Sequence, residues 1–474
     1  MYPTQYLPFL VSLLSIFMIP DAYASNAATT HLDLPIYWIE PFVGLLFTMG
    51  VMSFAATNFP HSFVGRLWES NLNKFIIAMW SIPVLYLFYS LNVWHPVIHS
   101  LKDYFAFISL LLALFVVSAA FTWKAIASHP YGEYHFLAIG AVLANFIGTT
   151  GASVLLIRPL LRTNRERLHT SHIPIFFIFI VSNIGGCLLP IGDPPLFLGY
   201  LKGVPFFWTL QLWAAWLTAI GMLLVIFFVW DSIAYRKESA TNLAFDEKMR
   251  QPFRMKGKLN ILWLFIVLAA VIGITPERLQ QWGMAEGAGQ FLREYVMLAM
   301  AGVSLLSSPL NAEARQKNNF TFTPIVEVAA LFIGIFIAMI PALEYLNMHG
   351  KEFGLTHAWQ FFWYTGGLSA VLDNAPTYLT FLSVAQGVVA SNPTAHVVPE
   401  NLSHLQVTGE YLAAISLGAV FMGAGTYIGN GPNFMVKSIA EEWGYKMPDF
   451  FSYMLYSFAI LVPIFIVITF LFLL

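Results

Sequence analysis

The chain has 474 residues, 58% of them hydrophobic and 10% charged, with 43 Phe and a net charge of −2. That balance leaves too little charge to cover a water-soluble surface and points to a protein embedded in a bilayer. The near-neutral charge offers no basic footprint for nucleic acid, and the single cysteine, Cys187, excludes an internal disulfide and a cysteine-based metal cage.

In chain order, Leu7 to Ile19 is apolar but short for a membrane span. Pro20 and the small-x-small pattern Ala22-Tyr23-Ala24 follow, so residues 1–24 read as a secretory signal cleaved before Ser25. The opening MYPTQY carries no basic residue, which keeps an N-terminal anchor or surface helix as the alternative. Residues 25–37 then form a polar external segment. Apolar segments long enough to cross begin near Trp38, Lys74, Tyr104, Ile173, Phe206, Leu259, Leu292, Phe322, Tyr411 and Phe450. Two others, His135 to Leu161 and Trp359 to Ala390, are apolar around a polar Gly/Thr/Asn knot, and each is predicted to be a re-entrant hairpin. HPYGEYHF, with His129, Glu133 and His135, reads as an aromatic loop rather than a metal site. Asp231 to Lys258 is a charged connector that separates a first half, 38–230, from a second, 259–474.

The halves repeat. Ala141-Val142-Leu143-Ala144-Asn145 matches Ala370-Val371-Leu372-Asp373-Asn374 at an offset of 229 (374 minus 145). Ile191-Gly192-Asp193-Pro194-Pro195 matches Ile428-Gly429-Asn430-Gly431-Pro432 at an offset of 237 (428 minus 191). An insertion in the loop Ser391 to Thr408 would absorb the difference. If each hairpin enters and leaves on one side, each half makes about five crossings. Five is odd, so the second half is inverted. With the N-terminus outside, eighteen of the 23 basic residues fall on the cytoplasmic side, including those of the connector; Lys102, Lys202, Arg278, Arg293 and Lys351 fall outside. The expected fold is therefore an all-α polytopic membrane protein. Each half is an inverted copy with about five crossings, one re-entrant hairpin (135–161 and 359–390) and one broken helix (173–200 and 409–440).

The broken helices carry the chemistry. A helix interior loses roughly 1 kcal/mol per Gly and about 3 per Pro, yet Gly185, Gly186, Pro190, Gly192, Pro194 and Pro195 crowd one apolar run. Irregular chain is tolerated at membrane depth only inside protein or against a watery cavity. Such an unwound stretch frees carbonyl oxygens, which suit a cation, and half-helix N-termini, which suit an anion. The candidate ion- or substrate-binding residues are Asn145, Thr149, Thr150, Ser182, Asn183, Gly192, Asn374, Thr377, Thr426, Asn430 and Asn433. Asp193, Asp373 and Glu327 are the candidate proton- or ion-coupling carboxylates, since a carboxyl that holds either a proton or a sodium ion supports exchange. A sodium site would draw on Asp193, Asp373 and Asn374. Glu40 and Glu410 lie near span ends and read as interfacial. No nucleophile–base constellation or phosphate loop points to an enzyme, and no cofactor is expected beyond Na⁺ as a transported or coupling ion.

SNIGG (182–186) with IGDPP (191–195), LDNAPT (372–377) and the Gly-Asn-rich break before NFMVK (433–437) resemble the ion transporter superfamily of ArsB, NhaD-type sodium/proton antiporters, citrate carriers and dicarboxylate/sodium symporters. The resemblance spans nearly the whole chain after Trp38. It implies a homodimer in a bacterial inner membrane, with a scaffold, a mobile transport domain and elevator-type alternating access. Carried over onto this chain, it places Asn145, Asp373, Asn374, Ser182, Asn183, Asp193, Thr426, Asn430 and Asn433 at the site. Many relatives have Asp-Asn where this chain has Ala144-Asn145, which loses one carboxylate. Neither hairpin tip has the Ser-Asn-Thr triplet of the dicarboxylate branch, which weakens that assignment without excluding citrate. No Lys or Arg falls within the knots, so sodium/proton antiport leads; Na⁺- or H⁺-coupled uptake of citrate or another anion is the alternative.

Overall fold

The structure is a computed structural model that describes residues 34–59, 61–69, 71–124, 130–165, 167–239, 254–284, 289–307, 314–316, 318–391 and 400–474. The signal reading over 1–24 and most of the connector lie outside the described residues. Among them, seven helices are long and apolar enough to cross a membrane: Ile36–Ala56, Lys74–Leu91, His95–Ser118, Glu133–Thr163, Trp208–Tyr235, Thr323–Phe353 and Phe450–Phe472. Shorter apolar helices cover His172–Leu188, Leu259–Gly273 and Gly409–Gly425. Phe47, Val225, Leu455 and Phe470 turn large apolar side chains outward, as a lipid-facing surface requires. The chain is a multi-pass membrane protein.

The helices used below are α1 (His95–Ser118), α2 (Pro130–Thr163), α3 (His172–Ile180), α4 (Pro194–Leu201), α5 (Trp213–Tyr235), α6 (Thr323–His349), α7 (Ala358–Val371), α8 (Asn374–Ala390), α9 (Gly409–Met422) and α10 (Gly431–Glu442). The span expected from Tyr104 begins at His95, nine residues earlier, with Pro96 supplying the preset φ of a first turn. Hydropathy missed those nine residues because they carry Lys102 and Asp103. Asp103 is paired rather than solvated: Lys202 Nζ donates to its Oδ2 at 2.7 Å, tying the end of α4 to α1. The all-α fold carries one short strand pair. Thr122–Lys124 pairs antiparallel with Arg254–Lys256, so the far end of the connector returns to the loop after α1. Gly257 (φ 86°) makes that return, and a Cβ there would collide with the Ala120 carbonyl.

α2 is broken at Gly148, whose φ of 74° and ψ of 153° leave the helix. A Cβ at Gly140 would meet Leu156 Cδ1 at 3.1 Å, whereas a straight helix would hold these positions about 24 Å apart. The two arms therefore fold back on each other. α7 and α8 also pack together, and the chain between them is extended at Leu372 and Asp373. The Asp373 side chain caps α8 by accepting from Ala375 N–H at 3.0 Å. One expectation needs correcting. The matched pentapeptides do not occupy equivalent places in the two hairpins: Asn145 sits one turn before the first break, whereas Asn374 opens the helix after the second. A loop insertion alone does not account for the two offsets.

Candidate functional site

Each broken helix unwinds by the same path. After α3 a 3-10 turn (Ile184–Leu188) leads to extended backbone at Leu189 (φ −131°, ψ 148°) and again at Asp193 (φ −140°, ψ 142°) before α4. After α9 a 3-10 turn (Gly423–Gly425) leads to extended backbone at Thr426 (φ −137°, ψ 170°) and at Asn430 (φ −155°, ψ 141°) before α10. Leu189 and Thr426, and Asp193 and Asn430, stand at the 237-residue offset read from sequence. Glycine closes each loop: a Cβ at Gly192 would collide with the Gly186 carbonyl, and one at Gly429 would lie 2.6 Å from the Gly423 carbonyl.

The breaks and hairpin tips converge on one carboxylate. Asp193 is 1% exposed. Thr149 Oγ1, just past the first hairpin break, donates to its Oδ1 at 2.7 Å. Asn374 Nδ2, at the start of α8, donates to its Oδ2 at 2.7 Å. Asn430 Nδ2, from the second break, reaches Oδ1 at 3.3 Å, the Asn183 Oδ1 at 3.1 Å and the Ser182 carbonyl at 3.2 Å. Four helical segments begin at or beside these residues: the second arm of α2, α4, α8 and α10. Asp193 does not cap its own helix. No side-chain cap bond forms at α4: Pro194 and Pro195 offer no N–H, and Leu196 N–H donates to the Asp193 main-chain carbonyl at 3.1 Å.

Other expected residues lie close by but hold backbone instead. Asn183 Nδ2 donates to the Ile178 carbonyl at 2.8 Å and to Asn433 Oδ1 at 2.7 Å. Asn433 Nδ2 donates to the carbonyls of Gly423 and Thr426 at 2.8 and 2.9 Å. Asn145 Oδ1 accepts from Leu188 N–H at 2.7 Å. Thr426 Oγ1 donates to the Ala370 carbonyl at 2.6 Å and accepts from Ile428 and Gly429 N–H at 3.2 Å. Ser182 Oγ pairs with Ser153 Oγ at 2.7 Å, a partner the sequence did not suggest. Thr377 Oγ1 donates to the Asp373 carbonyl one turn back, and the Gly192 carbonyl accepts from Thr149 N–H at 2.8 Å. Glu327 stands apart from this cluster and ion-pairs with the buried Lys74.

A cavity opens beside the carboxylate, which stands in its wall. Gly148, Thr149, Thr150, Gly192 and Asp193 form its polar wall, and Leu110, Leu111, Leu114 and Phe115 of α1 with Pro324, Ile325 and Val328 of α6 form the apolar one. Asp193 is the one ionisable side chain among the described residues that line it. A second buried polar network lies at the base of the first hairpin, where Arg167 Nη2 and His172 Nε2 meet Asp231 Oδ1 at 2.6 and 2.8 Å, with Glu133 4.0 Å from Arg167. Its members are too far apart in sequence for spacing to have found them. Groups of three or more His, Cys, Asp or Glu able to hold a metal are absent among the described residues.

The model of the CitMHS_2 family, described as "Putative citrate transport", matches residues 30–473. A search of curated proteins returned no match. The matched family is one of transporters and not an enzyme class.

Proposed function

The chain belongs to this citrate-transport family, and from that premise we propose that it is a secondary active transporter of a citrate-like carboxylate anion, coupled to protons through Asp193. The observation that carries the reading is the donor set around Asp193: a hydroxyl and two amides, each from a different element, arranged to hold carboxylate oxygens.

The matching paths of the two breaks support an inverted repeat, and the folded-back α2 and paired α7–α8 support two re-entrant hairpins that enter from opposite sides. Together they form a transport body that moves elevator-fashion against α1 and α6. The cavity lies at the ends of α1 and α6 that the distribution of basic residues puts toward the cytoplasm, so this conformation reads as inward-facing. The Lys202–Asp103 pair then closes the outer side.

A second reading, sodium/proton antiport, is favoured by Asp373, which adjoins the Asn374 that touches Asp193. Proteoliposomes separate the two. The first reading predicts uptake of labelled citrate driven by an imposed proton gradient and abolished by Asn374→Ala. The second predicts proton flux on adding Na⁺ or Li⁺ without citrate. Cation-driven flux together with no citrate uptake would reverse the order.

A further inference from the structure

Resting on the reading of the site as a carboxylate carrier, we propose that Asp193 is a tethered stand-in for a substrate carboxylate: it occupies the donors Thr149, Asn374 and Asn430 while ionised, and yields them to the incoming anion when it takes up a proton.

Three observations lead there. Asp193 has no capping task, since the two prolines after it have no N–H and the Leu196 N–H is taken by the Asp193 main-chain carbonyl at 3.1 Å. The backbone does not need a charge at this place either, because Asn430 takes the same extended conformation at the equivalent point of the second break with a neutral amide. Finally, the three side-chain donors spend their hydrogen on Asp193 itself, at 2.7, 2.7 and 3.3 Å, and Asp193 and Thr149 stand in the cavity wall. A substrate carboxylate that enters meets Asp193, Thr149 and Thr150 in that wall, and Asn374 and Asn430 are bonded to Asp193 beyond it.

With Asp193 ionised, entry of an anion would set two like charges side by side in a low-dielectric pocket and leave one of them without donors, and both effects oppose binding. Protonation removes the charge. The Asp193 O–H then becomes a donor to the substrate, and the hydroxyl and amides turn to the substrate oxygens. The only covalent change is one O–H bond formed on binding and broken on release, so one proton travels with each substrate carboxylate that takes the cluster. The other ionisable groups that face Asp193 are Asp373 and Cys187. The walls from α1 and α6 that line the cavity are apolar.

The test is citrate binding to the purified full-length protein by titration calorimetry between pH 7.5 and 8.5, where citrate keeps a constant charge, in buffers of different ionisation enthalpy. The wild type is expected to take up about one proton per citrate, with a Kd that weakens by up to tenfold per pH unit. Asp193→Asn is expected to bind with no proton uptake and a flat pH dependence, and about tenfold or more tighter at pH 8.5. Should that variant fail to fold, the wild-type proton count decides alone. Citrate binding without proton uptake overturns the stand-in role and leaves the transport reading intact. No citrate binding by the wild type even at pH 6 overturns the transport reading, and the stand-in role with it.

Discussion

The two broken helices share a backbone path and differ in charge. Position 193 in the first and 430 in the second have nearly the same extended conformation, follow the same glycine-closed turn and open the second half-helix. One carries a carboxylate and the other an amide that donates to it. The difference teaches that the shared backbone path is a frame that does not itself need a charge; in the function we propose, the coupling chemistry comes from the single titratable group on one side of the pair. A carboxylate at both places would repel; an amide at both would bind without sensing protons.

Asn430→Asp breaks the comparison most strongly. It sets two carboxylates at hydrogen-bond distance with too few donors for both, and proton-driven citrate uptake should fall by about 100-fold, a few kcal/mol of like-charge cost. The exchanged pair Asp193→Asn with Asn430→Asp restores the count of charges and should regain at least about tenfold of that loss in the same assay. If the exchange regains nothing, the two positions are not equivalent.

The glycine pair comes next. Gly192→Ala and Gly429→Ala each force a methyl group against a carbonyl of the facing strand of chain. Each should cost about 2–4 kcal/mol, read as a lowered melting temperature of the purified protein, with the loss at Gly192 at least as large. Asn433→Ala removes the amide that holds the Gly423 and Thr426 carbonyls and also meets Asn183. It should cost about 1–3 kcal/mol of stability, while the proton count per citrate stays the same. Glu327→Gln should have the smallest effect on transport. It alters the ion pair with Lys74, outside the cluster, and the pH dependence of citrate uptake should be unchanged.

Much of the frame was legible from composition and punctuation. Prolines and glycines inside apolar runs located both breaks, and the match of IGDPP with IGNGP gave the offset that the backbone follows at four separate positions. Asp193, Asn374, Asn430 and Thr149 stood out because polar residues at membrane depth are costly. What could not be read is which of the polar residues face one another. Asn183, Asn433, Thr426 and Asn145 have the same composition signal as the residues on Asp193, yet they bind carbonyls and N–H groups left over by the unwinding. Only the three-dimensional path tells a group that satisfies backbone from one that meets a ligand. Glu327 misled for a related reason: its partner Lys74 lies in a distant segment, and sequence spacing carries no record of that pairing. The missed start of α1 has the same origin, since Lys202, distant in sequence, offsets the charge of Asp103.

The most direct test of the account is uptake of labelled citrate into proteoliposomes with and without an imposed proton gradient, wild type against Asp193→Asn. The account predicts that the gradient accumulates citrate in the wild type, whereas the variant only equilibrates it and ignores the gradient. Gradient-driven accumulation by Asp193→Asn at the wild-type level would contradict it.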